Sequence, residues 1–161
     1  MLRKLINLVP QHILVTLYKH TPFTKLKNWI VYRAQHRFLA SVLGIITDES
    51  GNIMLLKHVY RSEPWGMPGG WMELEQPELA LKREIKEETG LDVEITSIAK
   101  ALFGRKPTRV DLILHGRLIG GTFRSSVEIS DICFCQPGEW PEGMPKSQQI
   151  LIASILNKDE K

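Results

Sequence analysis

The 161-residue sequence is poor in cysteine, with only Cys133 and Cys135, and its longest apolar stretch lies within Phe38 to Ile46. That stretch is far below the roughly 20 residues of a spanning helix, so no transmembrane segment is expected. Two cysteines two positions apart exclude a disulfide framework. They also lack the CxxC spacing, or the second Cys/His pair, of a zinc site. Reduced thiols in an apolar, strand-like segment are expected instead, and with them a cytoplasmic location. A secretory leader is not expected either: Gln11 and His12 interrupt the first apolar run, and no small-x-small site follows. Acidic residues are missing altogether before Asp48, while Arg3, Lys4, Lys19, Lys25, Lys27, Arg33 and Arg37 are basic. The net charge of +3 therefore hides a strongly basic front segment. The remainder, 43% hydrophobic and 24% charged overall, has the composition of one self-sufficient globular domain.

The periodicity divides the chain at about residue 37. In the front segment Leu2, Leu5, Ile6, Val9, Ile13 and Leu17 recur at helical spacing, with Pro10 as a break. Thr21 and Pro22 punctuate, and Leu26, Trp29, Ile30 and Arg33 resume the helical pattern. Residues 1–37 thus read as a basic amphipathic helical extension. Its apolar faces suit docking on the domain or on a second copy of the chain, while its charge suits an anionic membrane surface or nucleic acid. From residue 38 to 161 the pattern is that of a mixed α/β domain. Strands are expected at Phe38 to Thr47, Ile53 to His58, Val93 to Phe103, Thr108 to Arg117 and Ile132 to Cys135. The first two flank a turn-rich Asp48 to Asn52 connection and read as a hairpin. Arg105-Lys106-Pro107-Thr108 reads as a turn. Helices are expected at Pro77 to Thr89, which starts with proline and stops at Gly90, and at Ser147 to Asn157.

The Pro77 to Thr89 helix carries acids that stability alone does not explain. Glu78 with Lys82 and Arg83 with Glu87 are ordinary i,i+4 pairs. Glu84 instead has Ala80, Leu81, Glu87 and Glu88 as its helical neighbours, so its i,i+3 and i,i+4 charges are of like sign. Each such contact costs about 0.2 to 0.5 kcal/mol. Glu87 and Glu88 also lie at the negative end of the helix dipole, for about 0.3 to 1 kcal/mol more. Three carboxylates converging on one face are what a hard divalent cation resolves, Mg²⁺ above all, with Mn²⁺ as the alternative ion. A solvated acidic face is the competing explanation.

The stretch Gly69 to Leu91, GGWMELEQPELALKREIKEETGL, resembles the Nudix box. It matches at Gly69, Glu75, Arg83, Glu84, Ile85, Glu87, Glu88, Gly90 and Leu91. A chance match at these positions is on the order of one in ten million. Pro64 to Trp71 and the preceding LLKHVYR run are also similar to the approach to that box. The resemblance implies a Nudix-type α/β/α sandwich with a mixed central sheet, following the N-terminal helical extension. It further implies Mg²⁺-dependent hydrolysis of a phosphoanhydride bond in a nucleoside-diphosphate-linked substrate. Carried over residue by residue, Glu84, Glu87 and Glu88 become metal ligands, with Glu84 also orienting or deprotonating water. The carbonyl of Gly69 becomes a further ligand, and Arg83 pairs with a box glutamate to orient it. Glu128 and Asp131 become candidates for an additional downstream acid. One departure is visible: Gly70 to Glu75 is one residue shorter than in many relatives, and Leu74 stands where a glycine is expected. Glu75 is then either held in a tighter loop or displaced, with Glu73 as its substitute.

Lys57, His58 and Arg61 precede the glycine loop and could neutralise substrate phosphates, or be plain surface charge. Trp65 and Trp71 could stack on a base, or pack. The shortened loop also admits a second reading, a non-catalytic nucleotide-binding or regulatory module. Which nucleoside-diphosphate derivative is taken does not follow from these residues.

Overall fold

A computed structural model of the chain describes residues 10–20 and 24–159. Leu2, Arg3, Lys4, Leu5, Ile6 and Val9 of the front pattern, and the Thr21-Pro22 punctuation, lie outside the described residues. The chain divides into two compact units, 1–37 and 38–161. The first holds helices α1 (Gln11–His20) and α2 (Thr24–Ala34). Pro10 opens α1, its carbonyl accepting the Ile13 amide at 3.0 Å. Trp29 and Tyr32 are exposed within this unit, and the Arg37 guanidinium lies 4.6 Å over the Tyr32 ring.

The second unit is a six-stranded mixed sheet covered by a helix on each face. Its strands are β1 (Leu39–Thr47), β2 (Ile53–His58), β3 (Trp65–Gly66), β4 (Leu91–Arg105), β5 (Thr108–Gly121) and β6 (Ile129–Cys135). They run in the order β3-β2-β1-β5-β4, and β6 pairs with β2. β1 and β5 are parallel, from Leu39 opposite Arg109 to Thr47 opposite Arg117. β4 and β5 form one long antiparallel hairpin around Lys106 and Pro107, whose peptide bond is cis. Cross-strand hydrogen bonds carry β4 and β5 past the Val93–Phe103 and Thr108–Arg117 limits that the apolar pattern suggests. Pairing with β2 likewise starts β6 at Ile129 rather than Ile132. β3 is too short for any periodicity, and only its pairing with Leu56 and Lys57 defines it.

The period-2 alternation of the strands sorts side chains onto two cores. Val42, Ile46, Met54, Leu56, Leu114 and Ile129 pack against Ala80, Leu81 and Ile85 of helix α3 (Pro77–Thr89). On the other face Ile45, Ile53, Leu55 and Ile113 pack against Ile152 and Ile155 of helix α4 (Lys146–Asp159). β2 is buried on both sides, which is why IMLL is an unbroken apolar run. α3 ends on Gly90 at φ +75°, whose amide bonds the Lys86 carbonyl at 2.9 Å. Cys133 and Cys135 are free thiols packed at the α4 core, and burial pushes Cys133 up to about 11. Among the described residues, no helix is long and apolar enough to cross a membrane.

The splay between β1 and β2 makes room for the site. They pair only at Thr47 and Ile53 beside their turn. Beyond that point the segment Pro68 to Met72 runs along the freed edge of β1. Gly44 donates to the Pro68 carbonyl at 2.8 Å, Val42 to that of Gly70 at 2.9 Å, and Met72 to that of Ala40 at 2.9 Å.

Candidate active site on helix α3

The glycine loop brings the backbone against the acids. Gly69 sits at φ +138°, and a Cβ there would lie 2.1 Å from the Val42 carbonyl oxygen, so only glycine allows the loop to reach β1. The ladder uses the carbonyls of Pro68 and Gly70, and the Gly69 carbonyl takes no part in it. At Gly70 a Cβ would lie 2.4 Å from Glu84 Oε2, so the missing side chain is the seat of the Glu84 carboxylate. Sequence reasoning did not single out Gly70; its signal was the tandem glycine of Pro68-Gly69-Gly70.

Arg83 ties this loop to the helix. Its Nε and Nη2 donate to Glu75 Oε1 at 3.0 and 2.7 Å, and Nη2 also donates to the Trp71 carbonyl at 3.2 Å. Its Nη1 donates to Glu84 Oε1 at 2.9 Å and to Glu87 Oε2 at 3.3 Å. The guanidinium holds the Glu75 carboxyl below its ordinary value, chiefly by hydrogen bonding. Within the shortened loop it is Glu75 that pairs with Arg83. The expectation that Glu84 meets only like charge is corrected here. The i,i+3 and i,i+4 rule does not see the flexible Arg83 side chain one residue away, which folds back to reach Glu84.

Glu88 is half-buried. Burial, reinforced by the charges of Glu84 and Glu128, pushes its carboxyl up to about 7, although Arg61 opposes this. Its Oε2 is buried without a hydrogen-bond partner among the described residues. Glu87 is open to solvent, and Glu84 is mostly covered, with side-chain exposures of 62% and 17%. Among the described residues no three acidic, His or Cys side chains already stand in an arrangement that would hold an ion, since Arg83 occupies Glu84 and Glu87. The donor set nonetheless fits a hard cation: three carboxylates on one helix, one with an unpartnered buried oxygen, beside a backbone carbonyl free of the ladder.

The other sequence candidates divide by sheet face. Glu128 and Arg61 lie within electrostatic reach of Glu88. Lys57 and Asp131 do not join the acids. They are ladder partners on β2 and β6, on the face of Leu55 and Cys133 that packs toward α4. Lys57 lies 5.7 Å over the Trp65 ring. Trp65 is a packing residue of the α4 core, and Trp71 contributes its carbonyl while its ring is exposed. A hollow of about 430 Å³ beside Glu87 is lined by Gly121, Thr122, Arg124, Ser125 and Ser126. On the α4 face a buried Asp111 accepts from Ser41 and, at 2.7 Å, from Arg109.

Comparison with known proteins shows the family. The NUDIX domain family model matches residues 37–154. A MutT-like protein of Streptomyces ambofaciens is 29% identical over 118 residues, covering 73% of this chain and 76% of that protein. An RNA pyrophosphohydrolase of Saccharophagus degradans is 38% identical over 78 residues, 45% of this chain and 46% of that protein. The structure of an ADP-ribose pyrophosphatase from Streptococcus suis superposes with a TM-score of 0.63 at 26% identity. It covers 78% of this chain and 94% of that one.

Proposed function

This chain belongs to the NUDIX family and is a pyrophosphohydrolase, and we propose that it cuts a nucleoside-diphosphate-linked small molecule with Mg²⁺, or Mn²⁺, held on helix α3. The observation that carries this reading is a helix bearing Glu84, Glu87 and Glu88 beside a loop whose glycine leaves the Glu84 carboxylate its seat. These three carboxylates and the Gly69 carbonyl are the ligands in this reading. The bound ion supplies neutralisation of phosphate charge and a lowered pKa for the attacking water.

The chain's own groups do the rest. Glu84, backed by Gly70 and steadied by Arg83, orients the attacking water and accepts its proton. Arg83 touches no substrate; it locks Glu75, the Trp71 carbonyl, Glu84 and Glu87 into one frame. Arg61, within electrostatic range of Glu88, is the cation this reading assigns to substrate phosphates, and Lys57, in the register of Asp131, is not. Glu128 is the downstream acid on the same side as Glu88, whereas Asp131 points elsewhere. The Arg124 hollow beside Glu87 suits the anionic or hydroxylated group attached to the diphosphate.

A panel of nucleoside-diphosphate compounds with Mg²⁺, ADP-ribose, nucleoside triphosphates and capped or triphosphorylated RNA among them, tests the reading. Turnover of at least one small molecule is expected, with Glu84→Gln lowering kcat by about 10²- to 10⁴-fold in a folded protein. Nucleotide binding without turnover of any of them would return the second reading, a regulatory module.

A further inference from the structure

Helices α1 and α2 carry a surface that the proposed site does not use. Among their described residues Ile13, Val15, Trp29, Val31 and Tyr32 are exposed, from 42% for Ile13 to 65% for Tyr32. Single exposed apolar side chains are ordinary, but these stand among one another and among cations. On α2, Lys25, Tyr32 and Arg33 each lie three or four positions from Trp29, so the four share one side of the helix, and all four are exposed. On α1, the exposed Val15 and Lys19 are one turn apart. The sequence has no acidic residue before Asp48, so no acid of this unit's own stands among these cations.

That combination selects a partner by its chemistry. A surface of one charge sign calls for an anionic partner. A second copy of the same unit brings the same charge and is repelled. Nucleic acid would take the cations and stack its bases on aromatic rings. It has no use for Ile13, Val15 and Val31, however, and the Tyr32 ring already has the Arg37 guanidinium 4.6 Å over it. An anionic bilayer uses all three kinds of side chain: aliphatic groups enter the acyl boundary, Trp and Tyr sit at headgroup level, and Lys and Arg meet the lipid phosphates. The helix lengths agree. With 10 residues in α1 and 11 in α2, both are well short of the roughly 20 that a span needs, so they suit the plane of the interface rather than a crossing.

We infer that α1 and α2 form a peripheral docking surface for an anionic phospholipid bilayer, with Trp29 and Tyr32 at headgroup level and Lys19, Lys25, Arg33 and Arg37 on the lipid phosphates. The inference does not depend on the chemistry proposed for helix α3.

The test is co-sedimentation of the full chain with vesicles of phosphatidylcholine alone and of phosphatidylcholine with phosphatidylglycerol, each at low and high salt. Binding to the anionic vesicles is expected, with little to the neutral ones and a clear loss as salt rises. Lys25→Glu combined with Arg33→Glu should weaken that binding at least about tenfold. Trp29→Ser combined with Tyr32→Ser should weaken it severalfold while its salt dependence persists. All four side chains are exposed, so the melting temperature of both variants should match the wild type. If a variant fails to fold, the wild-type lipid and salt series still decides. No binding to anionic vesicles at low salt, or equal binding to neutral ones, would overturn the inference. So would wild-type affinity in both folded double variants. Binding of a single-stranded RNA oligonucleotide in preference to anionic vesicles, lost in the charge variant, would overturn it in favour of nucleic acid. A dimer that Trp29→Ser with Tyr32→Ser dissociates, in a chain that binds no vesicles, would overturn it in favour of a second copy.

Discussion

Helices α3 and α4 cover opposite faces of the same sheet, yet they treat charge in opposite ways. α4 buries Ile152 and Ile155 and carries few charges; its Gln148 side chain simply accepts the Met67 amide at 2.8 Å. α3 buries Ala80, Leu81 and Ile85 in the same manner, but the rest of its sequence, PELALKREIKEET, is crowded with charge. One acid pairs with a guanidinium, and another, half-buried, has a buried oxygen without a partner among the described residues. Where burial is equivalent and charge is not, the extra charge is the part that stability does not account for.

If the two helices are equivalent as scaffold, Leu81→Ala and Ile152→Ala should each cost about 2 to 5 kcal/mol in urea unfolding. Both side chains are fully buried. A cost for one several-fold below the other would break the equivalence. A smaller effect is expected at the seat of Glu84. Gly70→Ala drives a methyl onto the carboxylate and should lower kcat at least about tenfold, or about 1.4 kcal/mol in the barrier. Because the carboxylate end of Glu84 can swing aside, the melting temperature should hardly change. An unaltered kcat would show that Glu84 does not need this seat.

The smallest effect sharpens the electrostatic side of the comparison. Glu88 has its carboxyl raised from 4.5 to about 7 in the folded protein, first by burial. The folded state therefore binds more protons than the unfolded state between these values, and stability falls as pH rises through that window. Glu88→Gln removes this fall. In chelator, the variant should gain on the wild type between about pH 5 and pH 8, by on the order of 1 kcal/mol once its partial exposure is allowed for. Parallel stability curves would mean that Glu88 is not held in a low-dielectric place.

Much of this was legible along the chain. Helix α3 matches its expected bounds, Pro77 to Thr89, because a proline start, a glycine stop and an i,i+4 apolar stripe are all local signals. β2 matches at Ile53 to His58 for a similar reason. Other features were hidden because they depend on partners distant in sequence. Lys57, His58 and Arg61 looked alike as basic residues before a glycine loop. Strand alternation sends Lys57 toward α4 and buries His58 against the α3 core. Asp131 and Glu128 looked alike too, until pairing with β2 turned Asp131 to the face of Cys133.

By itself the sequence determined the family, the acid-bearing helix and the glycine loop. Those signals are chemical and lie within 23 residues, Gly69 to Leu91. Only the tertiary structure decided which carboxylate keeps a buried, unpartnered oxygen among the described residues, that Arg83 binds Glu75 and Glu84 at once, and that Gly70 yields its Cβ volume to Glu84. The reason is that solvation and hydrogen-bond partnership are properties of a place in space. That place is set here by the splay of β1 from β2 and by the register of β6, which no local pattern encodes.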